Sequence, residues 1–376
     1  MKVIHIASFK GNAGDIFNHN GFYSLLNDIF DIIEVTKIEI RDFYFSAKER
    51  KRFDREFAET VNEYDLCVLG GGSFFDCQWP ESPTGTTMSI TDEFIETVTI
   101  PVVVNAMGYH EFSSRTDEEC TTRFAEFLAK INAKQNWFIS IRNDGSGYRL
   151  KRRYPEELLK KIHFLADNAF YNKIGNQQCS KVGILGLCIT NEAFSVEYNG
   201  VDMTTDLFNI QIAECIEKFV VDGWIIRLFA HTPQDVDVLA KIIGNLSEWT
   251  RRNAIFLAPS NYISSEEEVT SLYYEWYSKC DAIISMRFHG CVMGFLTGVP
   301  TVALVGHEQL MGLYDELEMV HFAVKVEKGF KDRLPSVLEQ TTCQYQSVRE
   351  RNLLIISDIK EEYKSELASF LDDMKV

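Results

Sequence analysis

Short apolar runs alternate with segments of helical periodicity along the first half of the chain. Short apolar runs bounded by turn residues are typical of buried strands, and apolar positions three to four residues apart are typical of amphipathic helices. This pattern predicts strands at residues 2–7, 32–40, 64–70, 101–105 and 137–141. It predicts helices at residues 16–30, 47–62 and 116–134.

The same alternation restarts after residues 171–181, a polar segment without periodicity that marks the best domain boundary. Strands are predicted at residues 182–189, 224–230, 254–257, 282–285 and 301–305. Helices are predicted at residues 206–221, 234–245, 265–279 and 291–297, followed by a long final helix near 344–374.

Strand–helix alternation in both halves predicts an α/β fold with two doubly wound, Rossmann-like domains. We expect an N-terminal domain over residues 1–172 and a C-terminal domain over 180–343. Residues 344–376 should form a helix that packs back on the N-terminal domain. Two such domains facing each other across a cleft would make the fold GT-B-like.

Polar or glycine-rich clusters directly follow four strands of the first half, where the carboxyl ends of parallel strands meet at one sheet edge. The candidate ligand-binding residues in them are Gly11, Asn12, Gly14, Asp15, Gly71, Gly72, Ser73, Asp76, Asn105, Gly108, Arg142 and Ser146. Neither a dinucleotide fingerprint nor a P-loop is present, and Asp15 serves equally well as a simple helix cap. Residues 77–91 are rich in Pro, Ser, Thr and Gly and are expected to form a mobile loop.

The stretch over residues 281–300 carries the strongest chemical signal. A predicted strand ends at Ser285, and Arg287 and His289 occupy the passage into a helix. The start of a helix attracts anions, an Arg offers paired donors to phosphate or carboxylate, and a His can carry a proton. The alternative is a surface Arg beside a capping His. His231 follows another predicted strand in the same way.

The overall charge and the cysteines exclude several classes of protein. The formal net charge of −17 and the pI near 5.0 disfavour nucleic-acid or anionic-membrane binding. Nine cysteines without a C-x-x-C pair predict reduced thiols in a cytoplasmic protein, without zinc or disulfides. Residues 149–153 are basic and are expected to be a solvated helix face. No signal peptide or membrane-spanning run is apparent, so only peripheral membrane contact remains open.

The order of these motifs resembles the polysaccharide pyruvyl transferase family over about residues 8–318. The resemblance rests on residues 11–15 (GNAGD), 69–76 (LGGGSFFD), 105–108 (NAMG), Arg142 with Ser146, 167–170 (DNAF) and 285–290 (SMRFHG). It implies transfer of the enolpyruvyl part of phosphoenolpyruvate to sugar hydroxyls of a surface or exopolysaccharide precursor, giving a pyruvate ketal. It implies a sugar or lipid-linked oligosaccharide acceptor, and phosphoenolpyruvate as co-substrate without a cofactor or metal. By the same resemblance, Arg142 and Arg287 hold the donor's anionic groups and His289 carries the proton. The resemblance further implies that the N-terminal domain is the acceptor side and the C-terminal domain the donor side.

The chain departs from the family pattern at Gln309, where by motif order members usually have a Lys. A Gln offers only a neutral hydrogen bond, so another cation would have to offset the phosphate charge. Arg142, His231 and His307 are the candidates, because each follows a predicted strand.

Two other functions remain open at this point. Glu308 and Glu316 have the E-x7-E spacing of glycosyltransferases that use nucleotide sugars, although here the pair follows the Pro-containing strand. Two solvated carboxylates on a helix explain that spacing equally simply. The second alternative is a family member that binds a glycan or an anion without turnover.

Overall fold

Two parallel sheets organise the chain in the computed structural model, which describes residues 1–9, 12–30, 32–47, 50–111, 117–172, 183–191, 203–257 and 266–374. Each sheet belongs to its own compact unit. The first unit comprises Met1–Lys10, Gly21–Tyr171 and Ile359–Val376, and the second comprises Gly11–Asn20 and Asn172–Asp358.

The elements alternate much as the periodicity predicts. The strands are β1 (Lys2–Ala7), β2 (Glu34–Glu39), β3 (Leu66–Gly70), β4 (Phe75–Asp76), β5 (Val102–Met107), β6 (Tyr109–His110), β7 (Trp137–Ile141), β8 (Ile162–Phe164), β9 (Ile184–Cys188), β10 (Ile225–Phe229), β11 (Ile255–Leu257), β12 (Ala282–Ser285), β13 (Thr301–Val305) and β14 (Ala323–Lys325). The α-helices are α1 (Ala13–Ile29), α2 (Arg55–Val61), α3 (Asp92–Thr97), α4 (Glu118–Asn132), α5 (Ser146–Arg153), α6 (Thr205–Val221), α7 (Pro233–Gly244), α8 (Glu248–Asn253), α9 (Glu266–Ser278), α10 (Phe288–Thr297), α11 (Glu308–Glu316), α12 (Phe330–Cys343) and α13 (Tyr345–Asp373).

The first unit is built on the parallel sheet β2-β1-β3-β5-β7-β8. Its central strands are buried on both faces; all five residues of β3, for example, are buried. Such strands read as continuous apolar runs, which is why the sequence pattern locates them. The order of connection reverses between β1 and β3, and doubly wound sheets bind ligands beside such a reversal.

The second unit is built on the parallel sheet β11-β10-β9-β12-β13-β14. Counted within the unit, this is the 3-2-1-4-5-6 order of dinucleotide-binding folds, with its reversal between β9 and β12. The carboxyl end of β12 leads directly to Arg287. Two doubly wound α/β units therefore confirm the predicted fold class, while a cleft between them stays a prediction.

Several predicted boundaries differ from the structure. The helix predicted over residues 47–62 is confined to α2, because Asp54 caps its start by accepting a hydrogen bond from Phe57 N. The helix predicted from residue 291 begins three residues earlier, at Phe288, since Cys291 N already donates to the carbonyl of Arg287. Only part of the predicted polar boundary at 171–181 lies within the described residues.

The division of the chain also differs from the simple split predicted at residue 172. Residues 11–20 belong to the second unit, because Ala13 N donates to His231 O at 3.1 Å and Asn20 Nδ2 donates to Thr270 Oγ1 at 2.6 Å. Helix α13 is shared, and its residues from Ile359 onward belong to the first unit. Within the described residues, no helix combines the length and apolarity that a membrane span requires.

Residues 77–91 form a packed loop rather than the open, mobile one predicted from composition. Ser82, Thr84 and Thr86 are buried there, and their hydroxyl groups bond one another at 3.1 and 3.0 Å. Two strands too short to show any periodicity, β4 and β6, pair in parallel beside this loop. Hydroxyl groups that satisfy each other allow a polar segment to be buried, which composition alone does not reveal.

Candidate functional site

Arg287 and His289 lie in the turn from β12 to α10, beside the reversal of the second sheet. Arg287 is the N-cap residue directly before α10, in extended conformation, and His289 falls in the first helical turn. The Ser285 hydroxyl accepts from Arg287 N at 3.1 Å and donates to Arg287 O at 2.9 Å, which fixes this turn. The backbone donors of a helix start and two basic side chains are thus combined at one strand end.

A buried carboxylate holds the guanidinium of Arg287 in place. Arg287 Nη2 donates to Asp235 Oδ1 at 2.6 Å and to Thr232 Oγ1 at 2.9 Å, and its Nε donates to Asp235 Oδ2 at 3.2 Å. Asp235 also accepts from the backbone N–H groups of His231 at 2.9 Å and Thr232 at 3.1 Å. A guanidinium gripped on one edge in this way has little freedom to change its orientation.

The charge state of Asp235 follows from these contacts. Burial alone would raise the pKa of its carboxyl, but the ion pair with Arg287 and the hydrogen bonds that it accepts lower that pKa below the ordinary value. Asp235 is fully buried, whereas 15% of the Arg287 side chain is exposed. The pair therefore stays ionised at neutral pH, with the arginine on the solvent side.

The imidazole of His289 packs against the start of α1. A Cβ atom at position 14 would overlap with that imidazole, so the glycine in the sequence permits the approach. Asn12 Oδ1 accepts from Gly14 N at 2.9 Å, and Asn12 Nδ2 donates to Asp15 Oδ1 at 3.3 Å. The predicted cluster at residues 12–15 is thus brought to His289, while Gly11 lies outside the described residues.

His231 lies beneath this site rather than in it. Its side chain is fully buried, and its Nε2 is 2.9 Å from the hydroxyl of Tyr277. Burial, together with the positive charge of Arg287, lowers the pKa of His231 to about 3, against the opposing influence of Asp235. The imidazole is neutral at physiological pH, so the expectation that His231 could supply a replacement cation is wrong.

His307 and Gln309 occupy the start of α11, which follows β13. His307 Nδ1 accepts a hydrogen bond from Gln309 N at 3.1 Å and caps the helix. Protonating that nitrogen would remove the cap and put a positive charge at the positive end of the helix dipole. The described cap does not suit a cationic His307, whose role stays a prediction. Both Glu308 and Glu316 are exposed at the ends of α11.

Arg142 lies in a second cluster, which belongs to the first unit. Its Nε donates to Asp144 Oδ2 at 2.8 Å, its Nη1 to Asp167 Oδ2 at 3.4 Å, and its Nη2 to Ser73 Oγ at 2.5 Å. Only 4% of the Arg142 side chain is exposed, and both carboxylates are fully buried. Position 108 must be glycine here, because a Cβ would crowd both Ser73 and the guanidinium.

Asp144 is the centre of that second cluster. Burial would raise the pKa of its carboxyl, but Arg142, His110 and Arg149 lower that pKa well below its usual range. Ser146 is fully buried and donates its hydroxyl to Asp144 Oδ1, while Tyr109 N donates to the same hydroxyl at 2.7 Å. Ser146, predicted to bind substrate, thus lies in the interior of the first unit.

The carboxyl end of β5 has an irregular backbone. The register with β7 shifts between Val104 and Met107, and Ala106 between them has a φ of 41°, a conformation that costs energy outside glycine. Asn105 is fully buried, and its Oδ1 accepts from Tyr363 Oη at 2.8 Å and from the amide of Asn168. The carbonyl of Asn105 accepts from Gly71 N at 2.8 Å, which joins the end of β5 to the glycine loop after β3.

The glycine loop, residues 71–76, makes a second backbone hydrogen bond to the segment after β5 and leads into the packed loop at residues 77–91. Gly108 N donates to Gly72 O at 3.0 Å, and Gly71 has a φ of 97°, which favours glycine. Asp76, at the end of the loop, accepts from Gln78, Trp79 and Thr87. The carboxylate of Asp76 therefore organises the segment that follows.

The structure brings Arg287, His289 and the residues of α1 together within the second unit. It also groups Arg142, Ser73, Asn105, Gly108 and Ser146 within the first unit. Sequence reasoning missed the carboxylates that hold the arginines, Asp235, Asp144 and Asp167. One signal was available for Asp235, since Thr232 and Asp235 have the spacing of a capping box after a predicted strand.

A family model described as polysaccharide pyruvyl transferase matches residues 12–308, which is more than half of the 376 residues. The matched range includes Arg142, Arg287, His289 and Asp235. No curated protein matches the chain.

Solved structures with the same overall fold include two UDP-GlcNAc 2-epimerases. The enzyme from Neisseria meningitidis bound to UDP-GlcNAc has a TM-score of 0.52 and 11% identity, over 98% of this chain and 100% of that one. The enzyme from Methanocaldococcus jannaschii with UDP-GlcNAc and UDP has a TM-score of 0.51 and 14% identity, over 91% and 93%. The glycotransferase of kitacinnamycin has a TM-score of 0.52 and 11% identity, over 99% and 98%. At such identities, the likeness concerns the fold alone.

Proposed function

The chain belongs to the polysaccharide pyruvyl transferase family, and on that premise we propose that it transfers the pyruvyl group of phosphoenolpyruvate to a sugar acceptor. The acceptor is a sugar unit of a surface or exopolysaccharide precursor, and the product is a pyruvate ketal. The observation that supports this most is the combination of Arg287 and His289 at the start of α10, beside the sheet reversal.

Phosphoenolpyruvate carries a carboxylate and a phosphate, so its site needs directional donors for both groups. Arg287, oriented by Asp235 and 15% exposed, offers a guanidinium charge to an anion, and the first amides of α10 add the partial positive charge of a helix start. Asp235 fixes the orientation of the guanidinium and offsets part of its charge. Binding by Arg287 therefore depends on geometry as much as on net charge.

His289 is suited to move the proton in this reaction. It gives a proton to the methylene carbon of phosphoenolpyruvate, which becomes a methyl group and leaves C2 electrophilic. A sugar hydroxyl then forms a bond to C2 and returns its proton to His289. The C2–O bond to phosphate breaks, a second hydroxyl of the sugar closes the ketal, and its proton leaves with the phosphate.

The test is a titration of the purified protein with phosphoenolpyruvate, followed by phosphate release in the presence of sugar acceptors. A ligand that binds only the folded state raises the melting temperature, so thermal shift should respond to phosphoenolpyruvate and not to UDP-sugars. Mass spectrometry of the acceptor should then show the added pyruvate ketal.

Three outcomes would contradict parts of the proposal. Stabilisation by UDP-sugars alone would favour a glycosyltransferase. Stabilisation by phosphoenolpyruvate without phosphate release from any acceptor would favour a binding protein without turnover. Absence of any response to phosphoenolpyruvate would overturn the proposed donor.

A further inference from the structure

Two aromatic rings form a platform on the surface of the first unit. The rings of Phe45 and Trp79 are stacked, with an interplanar angle of 15° and centroids 6.3 Å apart. Both side chains are half-buried. The guanidinium of Arg50 packs against the ring of Phe45, 3.7 Å from its centroid.

Hydrogen bonds to buried groups fix the indole of Trp79 and the guanidinium that packs against Phe45. The indole Nε1 of Trp79 donates to Asp76 Oδ2 at 2.9 Å, and Asp76 itself is 8% exposed. Arg50 Nε donates to Phe43 O at 3.0 Å, and Arg50 Nη2 donates to Ser89 Oγ at 3.3 Å. The platform is thus held in one geometry before any ligand arrives, which lowers the entropic cost of binding.

The segment that carries Trp79 is anchored along its length. Arg123 of α4 donates to the carbonyls of Pro80 and Ser82. Gly85 has a φ of 69° and packs so closely on the backbone of Cys120 that a Cβ would overlap with it. A rigid, partly exposed Trp on an anchored loop is unusual for a residue that serves packing alone, because burial would stabilise the fold further.

The platform directly follows the loop that leaves the carboxyl end of β3. That strand flanks the reversal of the first sheet, the edge at which doubly wound sheets bind their ligands. Gln78 and Thr87, both half-buried, stand beside Trp79 through their shared contact with Asp76. Small-molecule sites typically combine an apolar or aromatic surface with a few amide or hydroxyl groups beside it, as is the case here.

We propose that Phe45 and Trp79 form the subsite that binds a neutral pyranose ring of the acceptor, an assignment that rests on the proposed function for the identity of that ligand. One face of a pyranose presents C–H groups, which pack against the negative face of an aromatic ring. Its hydroxyl groups point outward toward donors and acceptors such as Gln78 and Thr87. The net charge of −17 disfavours an anionic sugar polymer at long range.

The experiment measures binding and turnover separately in three variants. Saturation-transfer NMR of the full chain with a panel of methyl pyranosides (glucose, galactose, mannose, N-acetylglucosamine and N-acetylmannosamine) reports which sugars contact the protein. Trp79→Ala removes the platform, Trp79→Phe keeps a flat ring, and Trp249→Ala is the matched control. Trp249 is 64% exposed and belongs to the second unit.

We expect at least one pyranoside to bind the wild-type protein and to bind about tenfold or more weakly in Trp79→Ala. Trp79→Phe should retain binding within about threefold, and Trp249→Ala should equal the wild type. The melting temperature of each variant checks its folding, and Phe45→Ala replaces Trp79→Ala if the latter does not fold. Phosphoenolpyruvate binding should be the same in all variants.

The proposal is overturned if no pyranoside binds the wild-type protein, or if Trp79→Ala binds as tightly as Trp249→Ala. Equal weakening of phosphoenolpyruvate and pyranoside binding would also overturn it, since that would show a general loss of structure. Pyranoside binding through Trp79 without phosphate release would instead sustain the subsite and refute the proposed transfer.

Discussion

Arg287 and Arg142 occupy the same kind of position, directly after a parallel strand, yet their surroundings differ. Among the described contacts, Arg287 donates to the Asp235 carboxylate and the Thr232 hydroxyl; its side chain is 15% exposed and stands beside the reversal of its sheet. Arg142 bridges Asp144 and Asp167, is 4% exposed, and follows β7, two strands away from the reversal of the first sheet. The strand-end position is shared, but only Arg287 has the exposure that an anionic ligand needs.

This difference separates two uses of a buried ion pair. A carboxylate on one edge of a guanidinium, as in Arg287, orients it while part of the side chain stays exposed to a ligand. In Arg142, two carboxylates and the Ser73 hydroxyl contact the guanidinium on three sides and hold it in the protein interior. We therefore assign donor binding to Arg287, and regard the role that the resemblance implies for Arg142 as a prediction that needs its own test.

The largest effect is expected from His289→Ala, which removes the proposed proton carrier. Loss of a general acid lowers turnover by about 10²–10⁴-fold. Donor binding should stay within about tenfold, or ~1.4 kcal/mol, because the proton matters to the chemical step more than to ground-state binding. Steady-state kinetics and calorimetry with phosphoenolpyruvate measure the two effects.

The matched control is His321→Ala, an exposed histidine of the same unit. Unchanged turnover in His289→Ala would reassign this residue to the packing against α1 that Gly14 permits.

The pair Arg142→Lys and Arg287→Lys tests the comparison directly. A lysine keeps the charge but cannot reproduce the planar fork of donors. In Arg142→Lys we expect a stability loss of about 1.5–3 kcal/mol, since hydrogen bonds to buried charged groups are broken. Arg287→Lys should instead weaken phosphoenolpyruvate binding by about tenfold or more, with the smaller stability loss.

Denaturant unfolding and calorimetry on both variants give the two quantities. Equal stability losses with unchanged donor binding would remove the distinction between the two arginines. Weaker donor binding in Arg142→Lys would restore the role that the family resemblance implies for it.

A smaller effect concerns pH and the buried His231. Its pKa is lowered to about 3 in the folded protein by burial, whereas an unfolded histidine titrates near 6.5. Between these values the unfolded state binds more protons, so stability is complete above about pH 6.5 and falls as the pH decreases, by up to about 1.4 kcal/mol per unit. His231→Gln should flatten this part of the curve.

Denaturant midpoints measured at several pH values between about 3 and about 6.5 test this predicted loss of stability. His163→Gln is the control, because His163 is more exposed and its lowered pKa is partly restored by Glu366. A curve that is identical in the wild type and His231→Gln would show that the imidazole is not held neutral.

The smallest effect is expected from Gln309→Lys, since His231 and His307 do not suit the role of a cation. An added ammonium at the start of α11 should raise phosphoenolpyruvate affinity by up to about tenfold if the phosphate lies near it. Calorimetry measures the affinity, and Gln309→Met controls for side-chain length. An unchanged affinity in Gln309→Lys would place the phosphate elsewhere.

The sequence was sufficient for five of the six strands of each sheet and for the central turn, but not for the three-residue edge strands β8 and β14. Strand β7 has the predicted bounds, and Arg287 and His289 lie at the predicted strand end, because central parallel strands are continuous apolar runs. The partner of Arg287 could not be assigned in the same way, since Asp235 lies 52 positions away and only the fold brings them together. The conformation of Ala106 likewise depends on pairing with β7, which no local pattern encodes.

The packed loop at residues 77–91 shows a second limit of prediction from sequence composition. Its Ser and Thr residues indicate solvent exposure by composition, yet Thr84 bonds both Ser82 and Thr86 in the interior. The aromatic platform depended on this packing and was not apparent from the sequence, because Phe45 and Trp79 are separated by strand β3 and have no spacing in common.

Helix α13 contributes residues to both units, and this affects the order in which the polypeptide folds during synthesis. The first unit is not complete until Ile359 and the residues after it have left the ribosome, because Tyr363, Leu367 and Leu371 fill its core beside β3. Until then Ser140 and Asn105 lack the hydroxyl of Tyr363, to which both are bonded in the folded chain. N-terminal domains commonly fold first during translation, but here the first unit must wait for the last helix. Expressing residues 1–172 alone would yield a fragment with an open hydrophobic face, prone to aggregation or chaperone capture.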